Sequence, residues 1–299
     1  MAGGTSDAVL RIDRARVFYD GLDAEPMLDH PEGLAVHRDG SVWCGGEMGQ
    51  VYRIEPDGSS MEQVASTGGF CGGMAFDAED NLFVCSNGKN HAVMKLDTKS
   101  GSVERFADGA AGRRISIANY PAFDAEGRLY VSDSNAFKEP GPGIFRFDPD
   151  GAGELWYDDP VNFANGLALS PDGHHLYVVE TFSSAVFRLP IRQDGSAGAR
   201  EEVAALPGVL PDGIGFDAAG NLYVACYEPS QLMRVSPGLP GGKVEVLIRD
   251  PEAHLFCHPT NLAFRDDTIL TTNLGRWHIT AVDAPEVGLP LHGGYGQGR

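Results

Sequence analysis

Short apolar runs, each followed by a cluster of Gly, Asp, Asn or Pro, succeed one another along most of the chain, and no stretch carries a useful helical period. The runs recur in register. Glu32-Gly-Leu-Ala35 aligns with Gly72-Gly-Met-Ala75, Asn119-Tyr-Pro-Ala122, Asn165-Gly-Leu-Ala168, Asp212-Gly-Ile-Gly215 and Thr260-Asn-Leu-Ala263. Their final residues stand 40, 47, 46, 47 and 48 positions apart, a spacing that marks a repeat architecture. Within a repeat, a turn such as Asp124-x-x-Gly127 leads to a β-rich run such as Leu129-Tyr-Val131. A third run follows (Val51-Tyr-Arg-Ile54, Ile144-Phe-Arg-Phe147, Val186-Phe-Arg-Leu189, Leu232-Met-Arg-Val235), then a fourth at residues 102–106, 154–157, 202–205 and 244–248.

Four antiparallel strands per unit make one blade, so the pattern predicts an all-β, six-bladed β-propeller. The sixth unit supplies runs near Leu262, Ile269 and Ile279 but no fourth. Ala15-Arg-Val-Phe-Tyr19 has the fourth-strand pattern and precedes the first unit, so this N-terminal strand is expected to complete the last blade and close the ring. The expected organisation is one domain over residues 1–299, with the ring at about 15–283 and an irregular tail at 285–299.

Composition narrows the partners. The 299 residues carry a net charge of −19, which repels phosphate backbones and anionic lipid, so neither nucleic acid nor membrane is expected as a partner. No run approaches the length of a membrane span, and the first residues lack the basic start and apolar centre of a signal peptide. The five cysteines, Cys44, Cys71, Cys85, Cys226 and Cys257, are odd in number and have no C-x-x-C spacing. They read as reduced thiols of a cytoplasmic protein rather than as disulfides or a zinc site.

The first strand of a propeller blade lines the central channel, so residues at one repeat position converge on the axis. Three residues before each final Ala or Gly stand Glu32, Gly72, Asn119, Asn165, Asp212 and Thr260. Five of the six carry side-chain oxygen while varying in identity, whereas the final position keeps one small residue type. Strand-start turns would also favour Asn, Asp and Thr, but not Glu. Two carboxylates meeting at an axis repel unless a cation neutralises them, and oxygen donors without His or Cys favour a hard divalent ion. Glu32, Asn165 and Asp212 supply three metal ligands, with Ca²⁺ as first choice and Mg²⁺, Mn²⁺ and Zn²⁺ as alternatives. Asn119 is either a fourth ligand or a substrate contact with a catalytic role. Such an open site suits hydrolysis: the ion polarises a carbonyl and Asp212 takes the proton of the attacking water. His258, two residues before Thr260, is a candidate proton donor to the leaving alkoxide, with a loop histidine satisfied by backbone as the alternative.

At these residues the chain resembles the gluconolactonase/regucalcin-like (senescence marker protein) family of six-bladed, metal-dependent lactonases. The resemblance rests on Pro31-Glu32-Gly33, Asn119 before Phe123-Asp124-x-x-Gly127-Arg-Leu-Tyr-Val, Asn165-Gly166 before Ser170-Pro171-Asp172-Gly173, and Pro211-Asp212-Gly213. It implies Glu32, Asn165 and Asp212 as metal ligands, Asp212 also as general base, and Asn119 beside substrate or a metal-bound water. Sugar lactonases of this kind often carry Arg-x-Asn-Asp-Gly before the third inner strand, where this chain has Ile117-Ala-Asn119-Tyr120-Pro. A pocket bounded by Ile117, Asn119, Tyr120 and Thr260 therefore suits a small-molecule lactone or ester less hydroxylated than an aldonolactone. Two alternatives stand beside this hydrolase: a non-catalytic, metal-stabilised binding propeller, and a strictosidine synthase-like or lyase propeller enzyme.

Overall fold

The computed structural model describes residues 8–89, 91–238, 242–291, 293 and 294. Six four-stranded antiparallel sheets form the blades of a propeller, five of them running from the axis outward in chain order and the sixth taking its outermost strand from residues 15–20. Blade 1 comprises Leu34–Val36, Val42–Gly45, Gln50–Ile54 and Met61–Ser66; blade 2, Phe70–Phe76, Asn81–Asn87, Ala92–Asp97 and Val103–Ala107. Blade 3 comprises Ala118–Phe123, Leu129–Asp133, Gly143–Phe147 and Gly153–Tyr157; blade 4, Ala164–Leu169, His175–Glu180, Ala185–Pro190 and Glu201–Ala205. Blade 5 comprises Leu210–Phe216, Leu222–Glu228, Gln231–Val235 and Val244–Arg249. Blade 6 takes Pro259–Arg265, Thr268–Asn273 and His278–Asp283 from the end of the chain and Ala15–Asp20 from its beginning.

That last pairing closes the ring as expected, with Ala15 opposite Val282 and Asp20 opposite His278. A two-stranded ribbon, Gly109–Ala110 with Arg113–Arg114, lies in the connection from blade 2 to blade 3; the repeat pattern did not indicate it. Among the described residues the only helices are single 3₁₀ turns at Ile12–Arg14 and Thr181–Ser183.

The sequence pattern explains the radial order. Second strands are almost wholly buried, as in Leu129–Asp133, because both faces pack on neighbouring blades. Fourth strands are far more exposed, as in Glu201–Ala205, because they form the outer edge of the ring. The recurring third-strand arginine has a matching role at the rim: Arg146 pairs with Glu154 across the strands, and Arg188 with Glu201 at 2.7 Å. In blades 2, 3 and 5 the Asp that opens the inner turn folds back on its own loop, as Asp124 Oδ1 does in accepting from the amides of Glu126 and Arg128 at 3.0 and 2.9 Å.

Near the axis the strands approach closely enough to require glycine. A Cβ on Gly33 would stand 2.0 Å from the carbonyl oxygen of Gly72, and one on Gly166 would stand 2.4 Å from that of Asp212. Residues 284–291 run irregularly as a strap beneath the ring. Ala218 donates to the Val287 carbonyl at 2.8 Å, Leu289 to that of Phe216 at 3.0 Å and Gly288 to that of Asp266 at 2.8 Å. The remainder of the expected tail, 292 and 295–299, lies outside the described residues.

Candidate active site

A local device turns the oxygen-bearing residues toward the axis. In blades 2 to 6 the pairing of inner and second strands slips by one residue at the same repeat position: between Cys71 and Met74, Ala118 and Pro121, Ala164 and Leu167, Pro211 and Ile214, and Pro259 and Leu262. Each slip is a β-bulge, which re-aims a side chain that regular pairing would send elsewhere. Gly72, Asn119, Asn165, Asp212 and Thr260 all sit inside these bulges. Glu32 reaches the same level by another route, standing just before the short inner strand of blade 1.

The arrangement brings Glu32, Asn165, Asp212 and Thr260 together. Glu32 is 6% exposed, Asn165 3% and Asp212 7%, and the two carboxyls act on each other's protonation. Burial, above all, pushes the Glu32 carboxyl up to about 7, with the Thr260 hydroxyl pulling weakly the other way. Burial and then the Glu32 charge push Asp212 well above the usual carboxylate range, opposed by Asn165. Two acids buried side by side either keep protons or need a positive partner between them.

The two amides are oriented by their nitrogens. Asn119 Nδ2 donates to Ser134 Oγ at 2.9 Å, and Asn165 Nδ2 donates to Thr181 Oγ1 at 3.2 Å. Their oxygens are thereby left free: Asn119 Oδ1, Asn165 Oδ1 and Asp212 Oδ1 are buried without a hydrogen-bond partner. A buried unpaired acceptor costs about 1–3 kcal/mol, so three of them at one axis call for a shared positive partner. All-oxygen donors with two carboxylates fit a hard divalent ion. Among the described residues one group of three His, Cys, Asp or Glu side chains also clusters, Asp29, His30 and Glu47, but it lies in the rim loops beside Trp277.

Hydroxyls lock these residues in place, and of them the sequence reading singled out Thr260 for the site but not Thr272, Ser132 or Thr181. Thr260 Oγ1 and Thr272 Oγ1 both donate to the Glu32 carbonyl, at 3.0 and 2.6 Å, joining blade 6 to blade 1. Ser132 Oγ donates to the Asn165 carbonyl and Ser134 Oγ to that of Ala164, each at 2.7 Å, and Thr181 Oγ1 donates to that of Pro211 at 2.8 Å. Each hydroxyl spans from one blade to the site strand of the next. Their signal is faint: a Ser or Thr near the end of a second strand, in register but interleaved with Cys and Val. Asn261, 1% exposed, leaves both amide atoms unpartnered, and no sequence signal set it apart.

The remaining predicted residues take distinct places. Ile117 is half-buried at the mouth, its amide donating to Asp133 at 2.9 Å. Asp133 is a loop-shaping residue that also accepts from Ser116 and Asn135. Tyr120 is 8% exposed and stands between the two carboxylates and a cavity of about 360 Å³ further along the axis. Burial and those two charges raise its phenol. His258, at φ +53°, stacks on Tyr227 with ring centroids 4.4 Å apart, and its Nδ1 lies 3.0 Å from the Tyr227 carbonyl. A carbonyl only accepts, so Nδ1 carries the hydrogen and the neutral ring presents Nε2 as an acceptor. Burial first, and then the charges of Glu32 and Asp212, raise the Tyr227 phenol. The cysteines are all free, four of them buried.

Comparison with known proteins adds a name to this geometry. The SMP-30/Gluconolactonase/LRE-like region matches residues 60–271. A 6-deoxy-6-sulfogluconolactonase of Pseudomonas putida is 29% identical over 65% of this chain and 67% of its own length. Lactonase drp35 of Staphylococcus haemolyticus is 24% identical over 81% of this chain and 78% of its own. Strictosidine synthase-like 4 of Arabidopsis thaliana is 26% identical over 67% of this chain, which spans only 57% of that longer protein. The calcium-binding regucalcin structure from Agrobacterium tumefaciens shares the fold with a TM-score of 0.75 at 17% identity, covering 96% of this chain and 98% of that one. With more than two thirds of its length matched, the chain belongs to the SMP-30/gluconolactonase/LRE-like family.

Proposed function

We propose that this protein is a metal-dependent hydrolase that opens a lactone, or a related ester, at the upper end of the propeller axis. The observation that carries the reading is the set of inward-turned oxygens of Asn119, Asn165 and Asp212, left unpartnered beside the Glu32 carboxyl. Glu32, Asn165 and Asp212 hold a divalent ion, with Ca²⁺ the first candidate on donor chemistry and on the calcium binding of the regucalcin relative. When bound, the ion supplies a Lewis acid that draws charge from the lactone carbonyl.

The residues of the chain do the rest. Asn165 and Asn119 present oxygen toward the site because Thr181 and Ser134 each accept a hydrogen from the amide nitrogen and so fix which way the amide faces. Asp212 takes a proton from water as its oxygen adds to the carbonyl carbon; the ring C–O bond then breaks and the alkoxide takes up a proton. His258 serves as that donor only as the imidazolium, since its neutral form already spends Nδ1–H on Tyr227. Ile117, Tyr120 and Thr260 bound the substrate, and none of them offers the charged grip that a polyhydroxylated sugar lactone would use. The substrate is therefore less hydroxylated than an aldonolactone.

The test combines metal analysis of the purified protein with a pH-drop assay over sugar, aliphatic and aromatic lactones. Turnover should vanish on chelation and return with added Ca²⁺. Protein that carries a tightly bound ion yet opens no lactone or ester would overturn the reading in favour of a binding propeller. An aldonolactone as best substrate would overturn the specificity alone.

A further inference from the structure

Three phenylalanines stand together at the mouth, on loops of blades 3 and 4. Phe137 and Phe182 meet edge to face with ring centroids 5.0 Å apart, Phe163 and Phe182 lie 4.9 Å apart, and Phe137 and Phe163 lie 6.4 Å apart. Phe137 is 66% exposed, unusual for a ring that large. The chain ties each ring to the site. Phe163 comes two residues before Asn165, Phe182 follows the Thr181 that orients Asn165, and Phe137 comes three residues after the Ser134 that orients Asn119.

Backbone bonds hold the cluster in that position. Thr181 N donates to the Phe163 carbonyl at 3.2 Å, and Phe182 N to that of Asn162 at 3.3 Å. Gly141 and Val161 exchange both of their hydrogen bonds, which pins the loop bearing Phe137 to the segment that leads into Asn165. Phe163 itself sits at φ +67°, a conformation that a bulky side chain adopts only under constraint. The rings therefore stand as an apolar cluster on loops whose backbones are tied to the segments bearing Asn119 and Asn165.

We infer that Phe137, Phe163 and Phe182 receive the apolar ring substituent of the lactone while its carbonyl lies over the oxygen set. They would thereby select aryl-substituted lactones over bare or hydroxylated ones. This deepens the proposed function and rests on it. Continuity with the site argues for this occupant: a phenyl group on a small lactone extends from the reacting carbonyl toward the neighbouring rings, whose faces and edges suit offset or T-shaped contact.

The test compares wild type with Phe137→Ala and Phe137→Leu, at a position exposed enough to tolerate substitution. The substrates are γ-phenyl-γ-butyrolactone and unsubstituted γ-butyrolactone; the ligand is the hydroxy acid 4-hydroxy-4-phenylbutanoate. The ratio of kcat/KM for the phenyl lactone over the bare one should fall about tenfold in Phe137→Ala, mainly through KM, with Phe137→Leu retaining part of it. Binding of the hydroxy acid, followed by titration calorimetry, should weaken in parallel. An unchanged ratio with unchanged hydroxy acid binding overturns the role of the cluster while leaving lactone hydrolysis intact. Wild type that opens neither lactone counts against the proposed function, and the hydroxy acid titration then decides the role of the cluster independently.

Discussion

The same six inner strands line both ends of the axis, yet the two ends have opposite chemistry. Above, Glu32, Asn165, Asp212 and Thr260 crowd polar oxygen into a space hardly open to solvent. Below, the cavity of about 360 Å³ is bounded by Leu34, Met74, Leu167, Ile214 and Leu262 with the small residues Ala35, Ala75, Ala122 and Ala168, and the strap residues Leu289 and Leu291 lie along it. Only three positions along each strand separate the two levels, and the bulges mark the change. The lower level repeats one small residue because packing around a ring is nearly symmetric. The upper level varies because a ligand is not.

The comparison breaks most sharply at Asp212. Asp212→Asn should cut kcat for lactone opening by about 10³-fold while circular dichroism and the melting temperature report an intact propeller. Turnover within a few-fold of wild type would remove Asp212 from the chemistry. The converse substitution lies below: Leu167→Ala, at a side chain 2% exposed, should cost about 2–3 kcal/mol of stability and leave kcat per folded molecule nearly unchanged. Denaturant unfolding with parallel kinetics checks this, and a selective loss of kcat would show that the two levels are coupled.

The pH dependence separates the levels again. In chelated protein the folded state keeps protons on Glu32 and Asp212 that the unfolded chain releases near pH 4 to 4.5. The native state then binds more protons than the unfolded one, so stability falls as pH rises from about 4.5 through 7. Melting curves in chelator should show this decline, and added Ca²⁺ should raise the melting temperature more at pH 8 than at pH 5, since the ligands bind the ion deprotonated. A flat chelated profile would mean that the acids are not buried together. The smallest effect concerns the clasp: Thr181→Val frees the Asn165 amide to rotate and should weaken divalent-ion affinity about tenfold, measured by calorimetry, with Thr181→Ser restoring most of it.

Much of this molecule was legible in its sequence, for reasons particular to repeats. Blade number, ring closure by Ala15–Asp20 and the axial register of Glu32, Asn119, Asn165, Asp212 and Thr260 followed from alternation and spacing, because every blade must solve the same packing problem. The bulges left no mark, since a one-residue slip in pairing changes no residue type. The roles of Ser134 and Thr181 were not legible because a buried hydroxyl that serves a neighbouring blade looks the same as one in a loop. The grouping of Phe137, Phe163 and Phe182 was not legible either, because their partnership depends on loop paths that repeats do not dictate.

The strand that seals the ring has a consequence for biogenesis. Residues 15–20 leave the ribosome before every other blade strand, whereas their sheet partner at 278–283 leaves after them all. Five blades can stack before the sixth, which must wait for residues 259–283. Thr260 and Thr272, which grip the Glu32 carbonyl, also arrive late. A nascent polypeptide therefore exposes a gap beside its first blade until residues 278–283 emerge, and the axis gains its complete wall in a single closing event.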